Sequence, residues 1–161
     1  MAQLVLGTMN CGANTTLSEG MFAEANKLVA QPAVDELLST FVSLGGTEID
    51  AARVYMGGNT EVLLGASAAL PSLSVATKSF PSSLLGKMKP QMVDFMGGNT
   101  QQLHDSLTNL KRDCADIWYL HLPDEEAPLE DILAEADTMH KAGKYRELGL
   151  SNFNAWQVMA A

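Results

Sequence analysis

One segment of the chain, residues 115–153, passes from a strand pattern to a helix pattern and back, reading ADIWYLHLPDEEAPLEDILAEADTMHKAGKYRELGLSNF. The apolar run Ala115–Leu122 predicts a strand, which the following proline terminates. Pro128 occupies the position expected for the first residue of a helix, and an apolar stripe at helical spacing follows it until Gly143. Glu147–Phe153 then predicts another strand.

The same alternation continues on the N-terminal side of this segment. Further strands are predicted at Leu4–Met9, Thr47–Ala51 and Ser74–Phe80, because each is a short apolar run bounded by turn-forming residues. Repeated alternation of strands with helices predicts parallel strands joined by right-handed helical crossovers.

Helices are predicted between these strands by apolar residues at helical spacing. They follow Pro32, cover Thr60–Leu70, present a face of Leu103, Leu107 and Leu110, and begin again at Trp156–Ala161. Both tryptophans, Trp118 and Trp156, lie in apolar strand or helix patterns. We therefore expect both in the core rather than at a substrate platform.

Composition and charge narrow the class of protein. The 161 residues fit one domain with a hydrophobic core, or a piece of something larger, and 47% apolar with 18% charged residues is a folding composition. A net charge of −9 repels phosphate backbones and anionic lipids, which argues against nucleic-acid and membrane partners. No signal peptide is recognisable, and the two cysteines, Cys11 and Cys114, show no metal-ligand spacing. We expect a cytoplasmic protein without a metal site.

A short sequence, MGGNT, occurs at Met56–Thr60 and again at Met96–Thr100, each time before a predicted helix. Glycines ahead of a helix expose backbone N–H groups, so a phosphate cradle is one interpretation. The other is a flexible turn in which Asn or Thr caps the helix. The absence of a P-loop lysine favours the turn.

Three predicted strands carry polar residues that a purely structural core would not need. Asp50 ends one strand and Tyr55 follows five residues later, Lys78 lies within an apolar strand, and His121 lies near the end of another. In a parallel barrel the C-terminal ends of all strands meet on one face, where active sites are built. We therefore expect these four side chains to converge.

Each of these residues alone also has a structural interpretation. Asp50 suits a turn or helix cap, Tyr55 a partly buried aromatic position, and His121 a hydrogen-bonded core position. Lys78 is more informative, because lysine is almost never fully buried unpaired. Together they predict a proton donor for a carbonyl oxygen. The ammonium is expected to lower the pKa of the phenol, a carboxylate stabilises the ammonium, and the imidazole donates a hydrogen bond to the carbonyl.

These residues lie in segments that match the aldo-keto reductase family, which the chain resembles from Gly7 to Val158, most closely in its aflatoxin-aldehyde reductase branch. The matching segments are EIDAARVY at 48–55, ATK at 76–78, YLHLPD at 119–124 and ELGLSNF at 147–153. Each segment alone has low specificity, but the four in this order and spacing have high specificity. The resemblance implies a (β/α)₈ TIM-barrel fold.

The resemblance also implies catalytic roles and a reaction. It assigns proton donation to Tyr55, tuning of that donor to Lys78 and Asp50, and orientation of the substrate carbonyl to His121. The implied reaction is the NADPH-dependent reduction of aldehydes or ketones to alcohols by hydride transfer.

Cofactor-binding residues follow from the same resemblance. Ser151 and Asn152 match the pair that holds the nicotinamide carboxamide, Asp50 also lies beside the cofactor, and Met9 matches a position that lines its site. One departure lies next to the site, where the family usually has Thr after the strand-end Asp and this chain has Ala51. The departure removes a hydroxyl and leaves the proton chemistry intact.

The second departure is length. A full (β/α)₈ barrel needs about 250 residues, so residues 1–161 are expected to form a partial aldo-keto reductase barrel domain, truncated to about five βα units. The resemblance implies that the absent C-terminal strands and helices would stack on the nicotinamide ring and bind the adenosine 2′-phosphate.

Two hypotheses about function follow from a sheet that does not close. Open edges and an uncovered face favour self-association or pairing with a complementary half. The chain is then either a reductase of small carbonyl substrates, or a non-catalytic remnant or an interaction or regulatory module that has lost most of the cofactor site.

Overall fold

The computed structural model describes residues 3–13, 29–88 and 96–161. Five strands of these residues form one parallel sheet in the order of the sequence. They are β1 Val5–Gly7, β2 Glu48–Asp50, β3 Ser74–Ser79, β4 Ala115–Leu120 and β5 Tyr145–Leu150. The helices are α1 Gln31–Ser43, α2 Asn59–Ala66, α3 Ser82–Met88, α4 Asn99–Leu110, α5 Leu129–Lys141 and α6 Ala155–Ala160, with 3₁₀ turns at Tyr55–Gly58 and Leu70–Ser72. The predicted parallel α/β architecture is confirmed.

Strand register brings the C-terminal ends of the strands to one edge of the sheet. Asp50 pairs with Gly7 on one side and Ala76 on the other, and Tyr119 pairs with Lys78 and Gly149. Because parallel strands point the same way, the residues that follow them lie along this shared edge.

Element boundaries differ from the predicted ones by a few residues. Phe80 leaves β3 because its backbone N–H and C=O both bond to the side-chain amide of Gln102, each at 2.8 Å. β5 begins earlier than predicted, since Tyr145 pairs with Ala115 at the start of β4. Pro128 is the residue before α5 rather than its first residue, with an extended ψ of 134°.

The core lies where the helices pack on the sheet. Leu38 of α1 packs in one cluster with Ile49 of β2, and Leu103 of α4 packs in another with Trp118 of β4. Burying one such side chain fully contributes about 1.5–3 kcal/mol of stability. The predicted apolar faces of these helices therefore hold them against the strands that carry the polar residues.

The two MGGNT repeats do not cap their helices as predicted. Gly58 and Gly98 precede α2 and α4, and neither helix start has a side-chain cap hydrogen bond. The Asn59 side chain instead accepts a hydrogen bond from the Ala13 N–H at 2.9 Å. The expected Asn or Thr caps are therefore wrong, because the glycines occupy the cap positions.

The two tryptophans have opposite environments. Trp118 is fully buried, as predicted, whereas Trp156 on α6 is 69% exposed. The prediction for Trp156 is wrong, because no described element packs over that face of α6. Among the described residues, no helix combines the length and apolarity needed to cross a bilayer.

Candidate active site

The predicted convergence centres on the amino group of Lys78, near the C-terminal end of β3. Its Nζ donates to Asp50 Oδ1 at 2.6 Å, to the Ala51 carbonyl at 2.8 Å and to Tyr55 Oη at 3.4 Å. An ammonium has three hydrogens to donate, and here each has an acceptor. The structure thus brings Asp50, Tyr55 and Lys78 together from separate elements.

Tyr55 begins a tight turn that is part of the Tyr55 loop, residues 53–61. Met56, Gly57 and Gly58 all have positive φ, at 49°, 63° and 88°. Positive φ is strained for a residue with a Cβ such as Met56. Because Tyr55 Oη accepts the hydrogen bond from Lys78, its own proton is directed elsewhere, which is the arrangement a proton donor needs.

His121 completes the set from the residue after β4. Its ring meets the Tyr55 ring edge-on at 5.8 Å between centroids and the Phe80 ring edge-on at 5.4 Å. Its Nδ1 is buried, and no described residue forms a hydrogen bond with it. Burial, with the nearby Lys78 charge, lowers the pKa of His121 to about 4. The imidazole is therefore neutral at pH 7 and still carries one N–H to donate.

The predicted direction of the pKa shift at Tyr55 is wrong. Burial, with a smaller effect of the Asp50 charge, raises the pKa of Tyr55 to about 12. The main reason is that burial disfavours the phenolate, and Asp50, which lies 2.6 Å from Lys78, adds to this by offsetting the positive charge of the ammonium. Burial also lowers the pKa of Lys78, against the opposing effect of Asp50.

Ser151 and Asn152 lie together at the end of β5. The Asn152 amide donates to the His121 carbonyl at 2.8 Å and to Ser151 Oγ at 3.0 Å, so both of its hydrogens are used. This leaves the Asn152 oxygen as an acceptor and the Ser151 hydroxyl hydrogen as a donor. That pair complements a primary carboxamide, which offers an N–H and a C=O.

Met9 and Asp50 lie at the opposite side of this edge. Thr8, at the end of β1, bonds through both its N–H and its hydroxyl to the Asp50 carbonyl, at 3.0 and 2.9 Å. Met9 follows as a partly exposed residue. The structure thus places Met9 beside the strand that carries Asp50, while Ser151 and Asn152 follow β5, the strand at the other edge of the sheet.

Sequence reasoning missed two residues that shape the site, Phe80 and Gln102. Gln102 is fully buried on α4 and holds the Phe80 backbone, and the Phe80 ring in turn contacts His121. A signal was present, because Gln102 and Ser106 follow the same helical spacing as the buried Leu103 and Leu107. A polar residue on an apolar helix face indicates a specific buried partner.

A groove of about 350 Å³ opens beside Asn152. Its walls come from α3, the loop after β4 and the start of α6, and they include Leu84 and Leu122, which also pack against the buried cluster containing Tyr55. In the part of the chain that the structure describes, no group of three or more His, Cys, Asp or Glu side chains is arranged to hold a metal ion.

Several known proteins are similar to this chain in sequence and in fold. Human Aldo-keto reductase family 7 member A3 is 35% identical over 141 residues, covering 84% of this chain and 40% of that protein. Human Aflatoxin B1 aldehyde reductase member 2 is 33% identical over 160 residues, covering 96% of this chain and 38% of that protein. The chain therefore spans about two fifths of the length of these curated relatives.

Solved structures give the same result for the fold. A thermostable aldo-keto reductase solved with the inhibitor epalrestat matches with a TM-score of 0.75 at 27% identity, over 100% of this chain and 53% of that one. An aldo-keto reductase from Klebsiella pneumoniae in complex with NADPH matches with a TM-score of 0.67 at 21% identity, over 97% of this chain and 48% of that one, a likeness of fold. The five parallel strands are thus part of a (β/α)₈ barrel. The model of the aldo/keto reductase family matches residues 3–161, and the chain belongs to that family.

Proposed function

We propose that this chain carries the proton-transfer half of a site that reduces small aldehydes or ketones to alcohols with NADPH. One observation carries the proposal. The Tyr55 hydroxyl lies 3.4 Å from a Lys78 amino group that is itself bonded to Asp50 at 2.6 Å, with the His121 ring edge-on to the phenol. Such a cluster of buried, coupled titratable groups at a barrel's C-terminal edge favours acid–base chemistry.

Tyr55 is the better proton donor of the two candidates. With a pKa of about 4, His121 has already lost its extra proton at neutral pH, so it donates a hydrogen bond to the carbonyl oxygen and does not act as a cationic acid. Tyr55, with a pKa of about 12, keeps its proton until the oxygen becomes negative. As the carbonyl π bond breaks, the O–H bond of Tyr55 breaks, and its proton moves to that oxygen.

Lys78 and Asp50 support this transfer. The ammonium donates to the Tyr55 oxygen, so it stabilises the phenolate that remains after the proton has left. Asp50 keeps the ammonium charged despite the burial that lowers the pKa of Lys78. Solvent then returns a proton to the phenolate.

The residues at the end of β5 fit a nicotinamide cofactor. The free acceptor of Asn152 and the free donor of Ser151 suit its carboxamide. Asp50, at the end of β2, and Met9, two residues after β1, are proposed to line the same site. When bound, NADPH would supply the hydride for the carbonyl carbon. We also propose that residues 1–161 act as a partial barrel domain, completed by a complementary half.

The alternative is a non-catalytic remnant or an interaction or regulatory module. It is favoured by the open edge of the sheet, where Trp156 and Met159 of α6 are largely exposed. A remnant of this kind self-associates and does not bind NADPH, whereas a regulatory module binds NADPH without turnover.

The deciding experiment follows NADPH oxidation with a panel of aldehydes, using the chain alone and mixed with the C-terminal half of a family barrel. We expect turnover that Tyr55→Phe lowers by about 10²–10⁴-fold, with the dissociation constant of NADPH unchanged. The absence of hydride transfer from both wild-type preparations would contradict the reductase proposal.

Tyr119→Phe is the matched control. The Tyr119 ring lies 5.7 Å from Lys78 Nζ, yet no hydrogen bond joins its hydroxyl to the described part of the site. Its turnover is expected to stay within about threefold of wild type. An equal loss in both variants would show that aromatic packing, not the Tyr55 proton, carries the effect.

A further inference from the structure

A carboxyl group that takes no part in the proposed chemistry is buried directly behind the site. Glu61, in the first turn of α2, is fully buried. Its Oε1 accepts a hydrogen bond from the Thr77 hydroxyl at 2.5 Å. Burying a carboxylate is costly unless a charge or hydrogen bonds compensate it. The buried Glu61 carboxyl, which contacts the strand that carries Lys78, therefore needs an explanation.

Arg53 supplies the compensating charge. It is 4% exposed, and its positive charge opposes the burial that raises the pKa of Glu61. One of its nitrogens also pairs with Asp105 of α4 at 3.4 Å. A buried guanidinium and a buried carboxyl group thus flank the Tyr55 loop, one at its first residue and one at its last.

The Arg53 side chain also packs directly under the turn of this loop. A Cβ added to Gly58 would lie 2.0 Å from Arg53 Nη1, so the guanidinium fills the space under that glycine. Met56 in the same turn holds a positive φ of 49°. Strained backbone of this kind persists when its surroundings over-determine it. Here the guanidinium packed under Gly58 is the part of the surroundings that fixes the turn.

The same two residues tie the loop to the strand that carries Lys78. The backbone N–H of Arg53 donates to the Lys78 carbonyl at 3.1 Å, and the Glu61 side chain accepts from the hydroxyl of Thr77, the neighbour of Lys78 in β3. Side chains alternate along a strand, so Thr77 faces Glu61 while Lys78 faces Asp50 and Tyr55. Both ends of the Tyr55 loop are therefore fixed against β3, the first at Lys78 itself and the last at the neighbouring Thr77.

We propose that Arg53 and Glu61 are positioning residues, whose buried side chains hold the Tyr55 loop so that the phenol hydroxyl stays beside the Lys78 amino group. Neither residue touches the reacting atoms in this arrangement. The inference rests on the proposed function for its catalytic consequence, but the loop geometry that it describes exists without turnover.

The first test measures backbone amide exchange in the 161-residue chain. The N–H groups of Tyr55 and Gly57 bond to the carbonyls of Ala52 and Val54, each at 3.1 Å, and report on the loop. In Glu61→Gln and Arg53→Lys, we expect exchange at these amides to accelerate by about tenfold or more relative to the Ala142 amide, which bonds to the Thr138 carbonyl at 3.0 Å at the end of α5.

Arg112→Lys is the matched control. Arg112 is a partly buried arginine whose side chain bonds to backbone, donating to the Leu70 and Leu73 carbonyls at 2.8 and 2.6 Å. These carbonyls precede β3, at the other end of the sheet from the Tyr55 loop. Its substitution is expected to lower overall stability while the ratio of loop exchange to Ala142 exchange stays within about twofold.

The second test separates turnover from binding in the assembled reductase. Both variants are expected to lose about tenfold or more in kcat while the NADPH dissociation constant stays within about twofold. If loop exchange and kcat both follow Arg112→Lys, Arg53 and Glu61 are structural groups and the proposal is overturned. If the wild type shows no turnover, the reductase proposal fails by itself, and loop exchange still decides whether the pair holds Tyr55. Should Glu61→Gln not fold, Arg53→Lys carries the same measurement, because it keeps the charge and removes the planar guanidinium under Gly58.

Discussion

The part of the sheet around β3 and α4, here called the covered side, is packed more completely than the part around β5 and α6, here called the open side. In β3 every residue from Val75 to Ser79 is buried, whereas in β5 the residues from Arg146 to Leu148 are exposed. The α6 helix that follows β5 has no buried residue, while α4 buries a stripe that includes Gln102 and Leu103.

This difference separates two chemical tasks. The groups proposed to move a proton lie on the covered side, where burial sets their pKa values, as at Tyr55 and His121. The groups proposed to hold a carboxamide, Ser151 and Asn152, lie on the open side and keep an unused donor and acceptor. The covered side therefore holds the arrangement of Asp50, Tyr55 and Lys78 with its own packing, while the open side leaves polar groups available to another surface.

Replacing Trp118 by Ala gives the largest expected effect on stability. Trp118 is fully buried on β4, and its Nε1 donates to Ser79 Oγ at 2.9 Å. Removing the ring leaves a cavity and an unpaired hydroxyl group, so the free energy of unfolding should fall by about 3–5 kcal/mol. Denaturant unfolding of the chain measures it. A loss below about 1 kcal/mol would show that the covered side is not packed as described.

His121 should make stability depend on pH on the covered side. Its pKa is about 4 when folded against an ordinary 6.5, so between these values the unfolded chain binds a proton that the folded chain does not. The free energy of unfolding should therefore fall as pH drops from 6.5 to 4, by on the order of 2 kcal/mol from this residue.

The measurement is denaturant unfolding at several pH values in His121→Gln. The variant should lose this part of the pH dependence, while the control His104→Gln, which changes an exposed histidine on α4, should keep it. Identical pH profiles for His121→Gln and wild type would show that the imidazole is not buried beside Lys78.

Removing the Lys78 charge tests the coupling within the covered side. The nearby ammonium is one of two causes that lower the pKa of His121, the larger being burial. In Lys78→Met the pKa of His121 should rise above 4 and remain below 6.5, a change that corresponds to about 1 kcal/mol of removed repulsion. NMR titration of the imidazole measures it. The control Lys87→Met removes an exposed lysine that pairs with Glu126 at 2.7 Å and should leave the titration unchanged.

The covered side is also where the sequence was most informative. Strand–helix alternation predicts parallel strands, and parallel strands bring their C-terminal ends to one edge of the sheet independently of the conformations of the loops. The meeting of Asp50, Tyr55, Lys78 and His121 could thus be expected from order and spacing alone. Residue type also indicated a buried partner for Lys78, which the 2.6 Å bond to Asp50 provides.

The direction of the Tyr55 pKa shift could not be predicted in the same way. It depends on how deeply the phenol is buried and how far Asp50 offsets the Lys78 charge, and both are properties of tertiary packing. The glycine caps at Gly58 and Gly98 were missed for a related reason. Cap preferences describe isolated helix ends, whereas Asn59 is engaged by the distant Ala13 backbone.

Trp156 shows the same limit on the open side and gives the smallest expected effect on stability. An apolar helix pattern indicates which face would be buried but not whether anything covers it. With 69% of its surface exposed, Trp156→Ala should change the free energy of unfolding by less than about 0.5 kcal/mol. Acrylamide should quench the fluorescence of Trp156 strongly and that of Trp118 weakly. The variant Trp118→Phe reports the Trp156 signal alone, and Trp156→Phe reports the Trp118 signal alone. Protection of Trp156 from quenching on adding a complementary barrel half would identify the open side as the docking surface. If Trp156→Ala instead lowered the free energy of unfolding of the isolated chain by about 2 kcal/mol or more, α6 would already be packed and the two sides would not differ.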